Sequence, residues 1–360
     1  MVNKILYMKI SIKTISFLCL CLLLSFSLFA QEEGDSRTGE AGASELLINP
    51  WAQSSGMSGS NTASVRGLES IFLNVAGLTG VDATELAFSH ASWFADISIN
   101  GFGFAQKIGD AGVMGVSVMS LDFGDIERTT YENPDGGIGT FSPQFMNIAL
   151  SYAKQFTYSM SAGVTIKMIS ESAAELSANG LAIDAGVHYQ TGENGEAKFG
   201  ITLKNIGPRM SFEGDGDDLT LTGPNGSDMT VEIRSAAFEL PSLLNIGASY
   251  DFLFFNMSGE PMFRVTCSET FVSNSFSKDQ FLTGVEFSWK EMISLRGGYG
   301  YESGILEDYD SGRSTAFTGM SAGLSLELPI SDDTTFGFDY SYRPADPLQS
   351  VHTFGARIIL

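Results

Sequence analysis

Ser161-Ala-Gly-Val-Thr-Ile-Lys-Met-Ile-Ser170 decides the fold. Ala162, Val164, Ile166 and Met168 stand at every second position, with Gly163, Thr165 and Lys167 between them. Alternation of period two puts one set on each face of a strand, one face greasy and the other small or charged. The same rhythm returns in Ile183, Ala185, Val187 and Tyr189 against Asp184, Gly186 and His188. It returns again in Met320, Ala322, Leu324, Leu326 and Leu328 against Ser321, Gly323, Ser325 and Glu327, and in Phe336, Phe338, Tyr340 and Tyr342 against Gly337, Asp339, Ser341 and Arg343. A soluble sandwich would alternate too, but its inward positions would favour packed Val, Ile and Leu. Here the face opposite the apolar set is crowded with Gly, Ser and Thr, as expected where strands turn an apolar side to lipid and a small polar side to a lumen.

From about Glu85 onward such segments are separated by Gly, Asp, Asn and Pro. At roughly 20 residues per strand and loop, the stretch from Val81 to Leu360 predicts about 14 strands, an even number as single-chain bacterial barrels require. The expected fold is all-β, a transmembrane antiparallel barrel over residues 81–360. Arg209 to Ala237, with acidic Glu213, Asp215, Asp217 and Asp218, and Glu307 to Ser314 read as long loops, which in such barrels face outside the cell.

Residues 1–30 read as a cleavable Sec signal peptide. Lys4, Lys9 and Lys13 precede an apolar run from Ile15 to Phe29, and Ala30 offers a cleavage point; Met8 is an alternative start. The run is short for a spanning helix, which needs about 20 residues. Cys19 and Cys21 leave with it, without the small residues of a lipoprotein site, and Cys267 stays behind as a small apolar residue. Residues 31–80 have another texture: a polar tail, then a Gly-, Ser- and Asn-rich stretch without alternation, read as a short hatch or plug inside the lumen.

Charged residues make up only 17% of the chain and aromatics 11%, yet no later segment offers about 18 uninterrupted apolar residues, which excludes a helical membrane protein. The leader takes three of the 20 basic residues and none of the 42 acids, so 17 bases face 42 acids in the remainder, a formal charge of −25. Phosphate backbones are held by Lys and Arg patches, so nucleic acid is not an expected partner; membrane lipid is.

No residue pattern specifies an enzyme, a metal or a cofactor. Glu213-Gly-Asp215-Gly-Asp217-Asp218 places acids at alternate positions, but a calcium loop would need an acid or amide at Leu219 and Gly at Thr220, so it reads as a solvated acidic loop. Asp308-Tyr309-Asp310 reads the same way. His90, His188 and His352 are far apart, and no G-x-S-x-G accompanies them. Gly101-Phe-Gly103 and Gly297-Gly298-Tyr-Gly300 lie in strand-like segments without a following helix, so tight packing explains them better than a phosphate loop.

Ala43-Ser-Glu-Leu46-Leu47-Ile48-Asn-Pro-Trp-Ala52-Gln53-Ser-Ser-Gly56-Met57-Ser58-Gly59, continued by Asn74-Val75-Ala76-Gly77-Leu78, resembles the N-terminal signature of the PorV/PorQ family. Leu240-Pro241 before Ile246-Gly247-Ala248-Ser249-Tyr250, Leu295-Arg296-Gly297-Gly298-Tyr299, and Phe338-Asp339-Tyr340-Ser341-Tyr342 before His352-Thr353-Phe354-Gly355 extend the resemblance over most of the chain. It implies a FadL-like outer-membrane barrel of 14 strands with an N-terminal hatch carrying the motif positions Leu46, Leu47, Ala52, Gly56, Met57, Gly59, Asn74, Gly77 and Leu78. It also implies a non-enzymatic part in the type IX secretion of Bacteroidota, with translocon components or secreted proteins bearing C-terminal signal domains as partners. Gln53 stands where the family has Arg, Ser58 replaces a Gly, Val75 replaces a Pro, and Leu360 is not the aromatic that often ends such barrels. The alternative is a transporter of hydrophobic small molecules, which predicts an apolar pocket near the hatch with Trp51, Met57, Ile71 and Phe72 as lining candidates; plug packing would bury the same residues.

Overall fold

The structure is a computed structural model that describes residues 7–8 and 37–360, apart from 38, 132, 215–217, 223–224, 226, 233–234, 256–260, 308–312, 314 and 332. Fourteen strands form the wall: β1 (Thr84–Ser92), β2 (Ser98–Lys107), β3 (Val113–Asp122), β4 (Gln144–Thr157), β5 (Met160–Ala173), β6 (Leu176–Thr191), β7 (Ala197–Ile206), β8 (Leu243–Phe255), β9 (Pro261–Asn274), β10 (Gln280–Trp289), β11 (Ile293–Glu302), β12 (Met320–Pro329), β13 (Thr335–Arg343) and β14 (Val351–Ile359). Each pairs antiparallel with its neighbours in the chain, and β14 returns to β1, with Ile359 opposite Glu85. The sheet therefore closes on itself and leaves no edge with unpaired backbone, as hydrocarbon requires. Among the described residues no helix is long and apolar enough to cross a membrane.

The alternation falls as the residues dictate. In β5, Val164, Ile166 and Met168 face outward and are exposed, while Thr165 and Lys167 are buried inside. Leu181, Ile183, Ile201, Leu203, Ile246 and Leu295 continue the exposed apolar belt around the wall. Tyr189 and Phe199, 6.5 Å apart between ring centroids, and Phe263 and Phe287, 5.5 Å apart, lie toward one rim and mark an aromatic girdle.

At that rim only Tyr158 and Ser159 join β4 to β5. The opposite rim carries the long connections 207–242 and 303–319, as the sequence predicts, and a third, 123–143, which it does not. Asn133-Pro134-Asp135-Gly136 within it reads as an ordinary turn signal, and nothing in composition tells how far chain on either side departs from the wall. The connection 207–242 holds a hairpin of Asp218–Thr222 with Asp228–Glu232. Asp215, Asp217 and Asp308-Tyr309-Asp310 lie outside the described residues, as does the leader apart from Tyr7–Met8, which lie beside Phe254 and Phe255.

The inner face of the wall is small and polar, and residues 41–83 fill the lumen against it and bury it. A 3-10 turn at Ser44–Leu47, helices α1 (Ala52–Ser55) and α2 (Ser70–Leu73), and a second 3-10 turn at Val75–Gly80 form this hatch. Leu68 and Leu78 are fully buried against wall alanines such as Ala87, Ala105, Ala149 and Ala153. Small wall residues face large hatch residues, and each such leucine contributes about 1.5–3 kcal/mol of apolar burial.

Candidate functional site: the hatch and its cavity

The hatch has little regular structure, so its backbone carbonyls need partners that a helix or sheet would have supplied. The wall supplies them. Thr270 Oγ1 donates to Ser60 O (2.7 Å), Ser321 Oγ to Gly56 O (3.0 Å) and Ser161 Oγ to Ala76 O (3.3 Å), while His188 Nε2 stands 2.8 Å from Thr62 O. The inward Ser, Thr and His side chains are thus hatch anchors. His90 pairs instead with Asn100 and His352 with Tyr340, so the three histidines share no site.

Asn74 does the most. Its amide nitrogen donates to Thr62 O and Val187 O, both at 3.2 Å, and its Oδ1 accepts from Ala76 N at 3.2 Å, capping the second 3-10 turn. Gly56 lies so close to β12 that a Cβ on it would come to 2.8 Å of Gly323 Cα, and Gly77 is held against Val65 O. Ala52 and Leu78 are buried, and Leu46 packs with Ile169, Ala178, Ala182, Met210 and Leu240. Gly59 has a positive φ of 76°. Met57 packs on Gly284 and Gly298, and Gly103 receives Leu68, so two glycine motifs serve close packing, whereas Leu47 is exposed at the long-loop rim. Cys267 faces outward, half-buried in β9 opposite Tyr250 and Val285.

Charges lock the hatch to the wall and the wall to itself. Glu69 accepts hydrogen bonds from Ser54 N (3.1 Å), Ser54 Oγ (2.9 Å) and Gln53 N (3.3 Å). Burial, with Asp339 nearby, pushes its carboxyl up to about 7. Gln53 Nε2 donates to Asp339 Oδ1 at 3.0 Å, a polar reach from hatch to wall. Arg357 bridges Asp339 and Glu327, and Lys167 pairs with Asp184 at 2.5 Å while donating to Asn205 Oδ1 at 2.8 Å. At the long-loop rim Gly42 N donates to Glu239 O at 3.0 Å, and Arg209 and Arg37 hold the Glu239 carboxyl below the usual range.

Between hatch and wall lies an apolar cavity of about 40 Å³, lined chiefly by Leu46, Trp51, Ile71, Phe72, Met119 and Ala149, with Asn147 and Lys167 as polar members. Three of the four predicted lining residues, Trp51, Ile71 and Phe72, border it; Met57 does not. Lys204, buried in β7, places its Nζ 3.8 Å from the centre of the Phe72 ring, a contact the sequence reading missed because the two lie on elements far apart in the chain. Wider openings lie at the two rims, about 270 Å³ around Leu47, Trp93, Phe317 and Arg343, and about 220 Å³ around Arg66, His188, Gln190 and Lys198. Among the described residues no three His, Cys, Asp or Glu side chains converge on one point.

The architecture is that of solved FadL-like barrels. The Pseudomonas putida toluene transporter TodX superimposes with a TM-score of 0.55 at 12% identity, covering 86% of this chain and 97% of that one. The CymD monoaromatic hydrocarbon channel gives 0.53 at 15%, covering 86% and 96%, and a Pseudomonas aeruginosa FadL homologue gives 0.50 at 11%, covering 85% and 96%. Identities this low establish a shared fold. No family model matches the chain, and no curated protein matches it. The chain is thus a closed 14-stranded antiparallel barrel with the FadL-like fold, its lumen plugged by residues 41–83.

Proposed function

We propose that the protein is a non-enzymatic barrel of the outer membrane that conducts small hydrophobic molecules. The observation that carries this reading is the apolar cavity walled by Trp51, Ile71 and Phe72 between hatch and wall. The structural neighbours described as hydrocarbon channels support it through the fold. Size sets the mechanism: a cavity that binds benzene is about 150 Å³, and this one is about 40 Å³. The hatch therefore has to shift to admit a ligand. The ladders β2–β3 and β3–β4 run without a register break, so a lateral path from the cavity into lipid needs the wall to open as well.

The test is binding of toluene and decane to the purified protein in detergent, followed by tryptophan emission, beside uptake into proteoliposomes. Saturable binding that disappears when Ala149→Phe fills the cavity is the expected result. Absence of binding and uptake by a folded barrel overturns it.

A second reading, a secretion accessory of the PorV/PorQ kind in the type IX system, is favoured by the near-complete filling of the lumen, which leaves the rims as working surfaces. Copurification of translocon subunits or of secreted proteins with C-terminal signal domains from native membranes would select it.

A further inference from the structure

Glu45, on the Ser44–Leu47 turn of the hatch, is 1% exposed, and neither of its carboxylate oxygens has a hydrogen-bond partner. Two wall side chains face it. Glu171, in β5, is 3% exposed and Asn147, in β4, is 8% exposed; both stand near enough to interact with Glu45, yet at ordinary hydrogen-bond geometry Glu171 Oε1 and both Asn147 side-chain polar atoms lack a partner. The register explains their meeting: Asn147 lies opposite Ile169 and Phe145 opposite Glu171, so Asn147 and Glu171 are diagonal neighbours on the inner face of adjacent strands. Lys167, the nearest inward cation along β5, is engaged by Asp184 and Asn205.

Two carboxylates in a buried site, with no cation assigned to them, are costly as they stand. From this cluster we infer that Glu45, Glu171 and the Asn147 amide oxygen form a binding site for a divalent cation, calcium before magnesium. The donors are all hard oxygens, and two negative charges match one divalent ion. The three side chains offer about five oxygens; calcium accepts an irregular shell of 6–8, whereas magnesium demands a regular octahedron. Asn147 also lines the adjoining cavity, so the site borders open space on that side. The ion ties the first turn of the hatch to strands β4 and β5. Leu46, the next residue, borders the cavity, so removing the ion loosens the hatch beside it. This inference does not depend on the transport reading.

The test uses the full-length protein purified in detergent, stripped with EDTA and returned to millimolar Ca²⁺, Mg²⁺ or Na⁺. Calcium is expected to raise the melting temperature by roughly 5 °C, magnesium by less and sodium not at all. Glu45→Gln and Glu171→Gln, which keep the shapes of the side chains, should each abolish the rise. Terbium luminescence excited through tryptophan provides a second measurement: wild type should give a signal that calcium competes away, and both variants should lose it. An unchanged melting temperature with every cation, or a calcium response that persists in both variants, overturns the site. So does a wild type whose stability follows pH alone, since the two carboxyls would then be sharing a proton.

Discussion

Asn74 of the hatch and Gly186 of β6 meet so closely that a Cβ at position 186 would lie 2.1 Å from Asn74 Oδ1. The same Asn74 amide holds Thr62 O and Val187 O. Gly186→Ala should therefore push Asn74 off its partners and cost about 1–3 kcal/mol, the usual range for overpacking. The measurement is the urea midpoint of the purified barrel; adding Asn74→Ala should cost less than the sum of the single changes, because both act on one contact.

Ser58 tests how the hatch tolerates a side chain in a left-handed backbone conformation. Its φ of 53° is a conformation that side chains resist, but its hydroxyl stands 2.8 Å from Ser321 Oγ and donates to Gly319 O at 3.2 Å. Ser58→Gly relieves the backbone and loses the bonds, so its stability should stay within about 1 kcal/mol of wild type. Ser58→Ala loses the bonds and keeps the strain, so it should be the less stable of the two by thermal melting; the reverse order would show that the positive φ at position 58 costs nothing.

Ion pairs at two depths should differ in weight. Asp184→Asn strips the carboxylate from Lys167 in a site where both side chains are buried, with an expected loss of about 3–5 kcal/mol. Arg209→Ala at the exposed rim removes a pair with Glu239 and should cost less than about 1 kcal/mol. Chemical denaturation of the two variants side by side checks the contrast.

Glu45 sets a pH dependence. It sits on the hatch, outside the spanning strands, and burial, then the neighbouring Glu171, raises its carboxyl from 4.5 to about 8. The folded protein thus holds a proton that the unfolded chain gives up, so the stability is fully present below about 4.5 and is lost as pH rises toward about 8. In EDTA the melting temperature should fall across that window, and Glu45→Gln should reduce the fall, leaving the share that comes from Glu69. A wild-type curve that rises over the same range would contradict the burial of this carboxyl.

The wall was legible in the sequence because alternation is a local property: Val164, Ile166 and Met168 declare their face without reference to any other strand. The connections 207–242 and 303–319 were legible through their acidic and polar runs, whereas 123–143, longer than the second of them, was not. What fills the barrel was not. Alternation says that Gly186, Gly103 and Thr270 point inward, but their partners Asn74, Leu68 and Ser60 lie many residues away, and no spacing links them. The hatch motif positions were named by resemblance, and Trp51, Met57, Ile71 and Phe72 as candidate lining of an apolar pocket, of which all but Met57 border the cavity. Glu45 escaped notice because a single acid beside Leu46 looks like any surface glutamate until the fold sets Glu171 and Asn147 against it.

The seam where β14 meets β1, with Thr84 and Leu360 exchanging hydrogen bonds, joins the end of the hatch to the end of the chain. The ring cannot be sealed until its last residues have been delivered, and by then the stopper already belongs inside, being the stretch that leads directly into the first stave. The last stave thus locks against the very residue at which the stopper ends, so ring and stopper share one fastening.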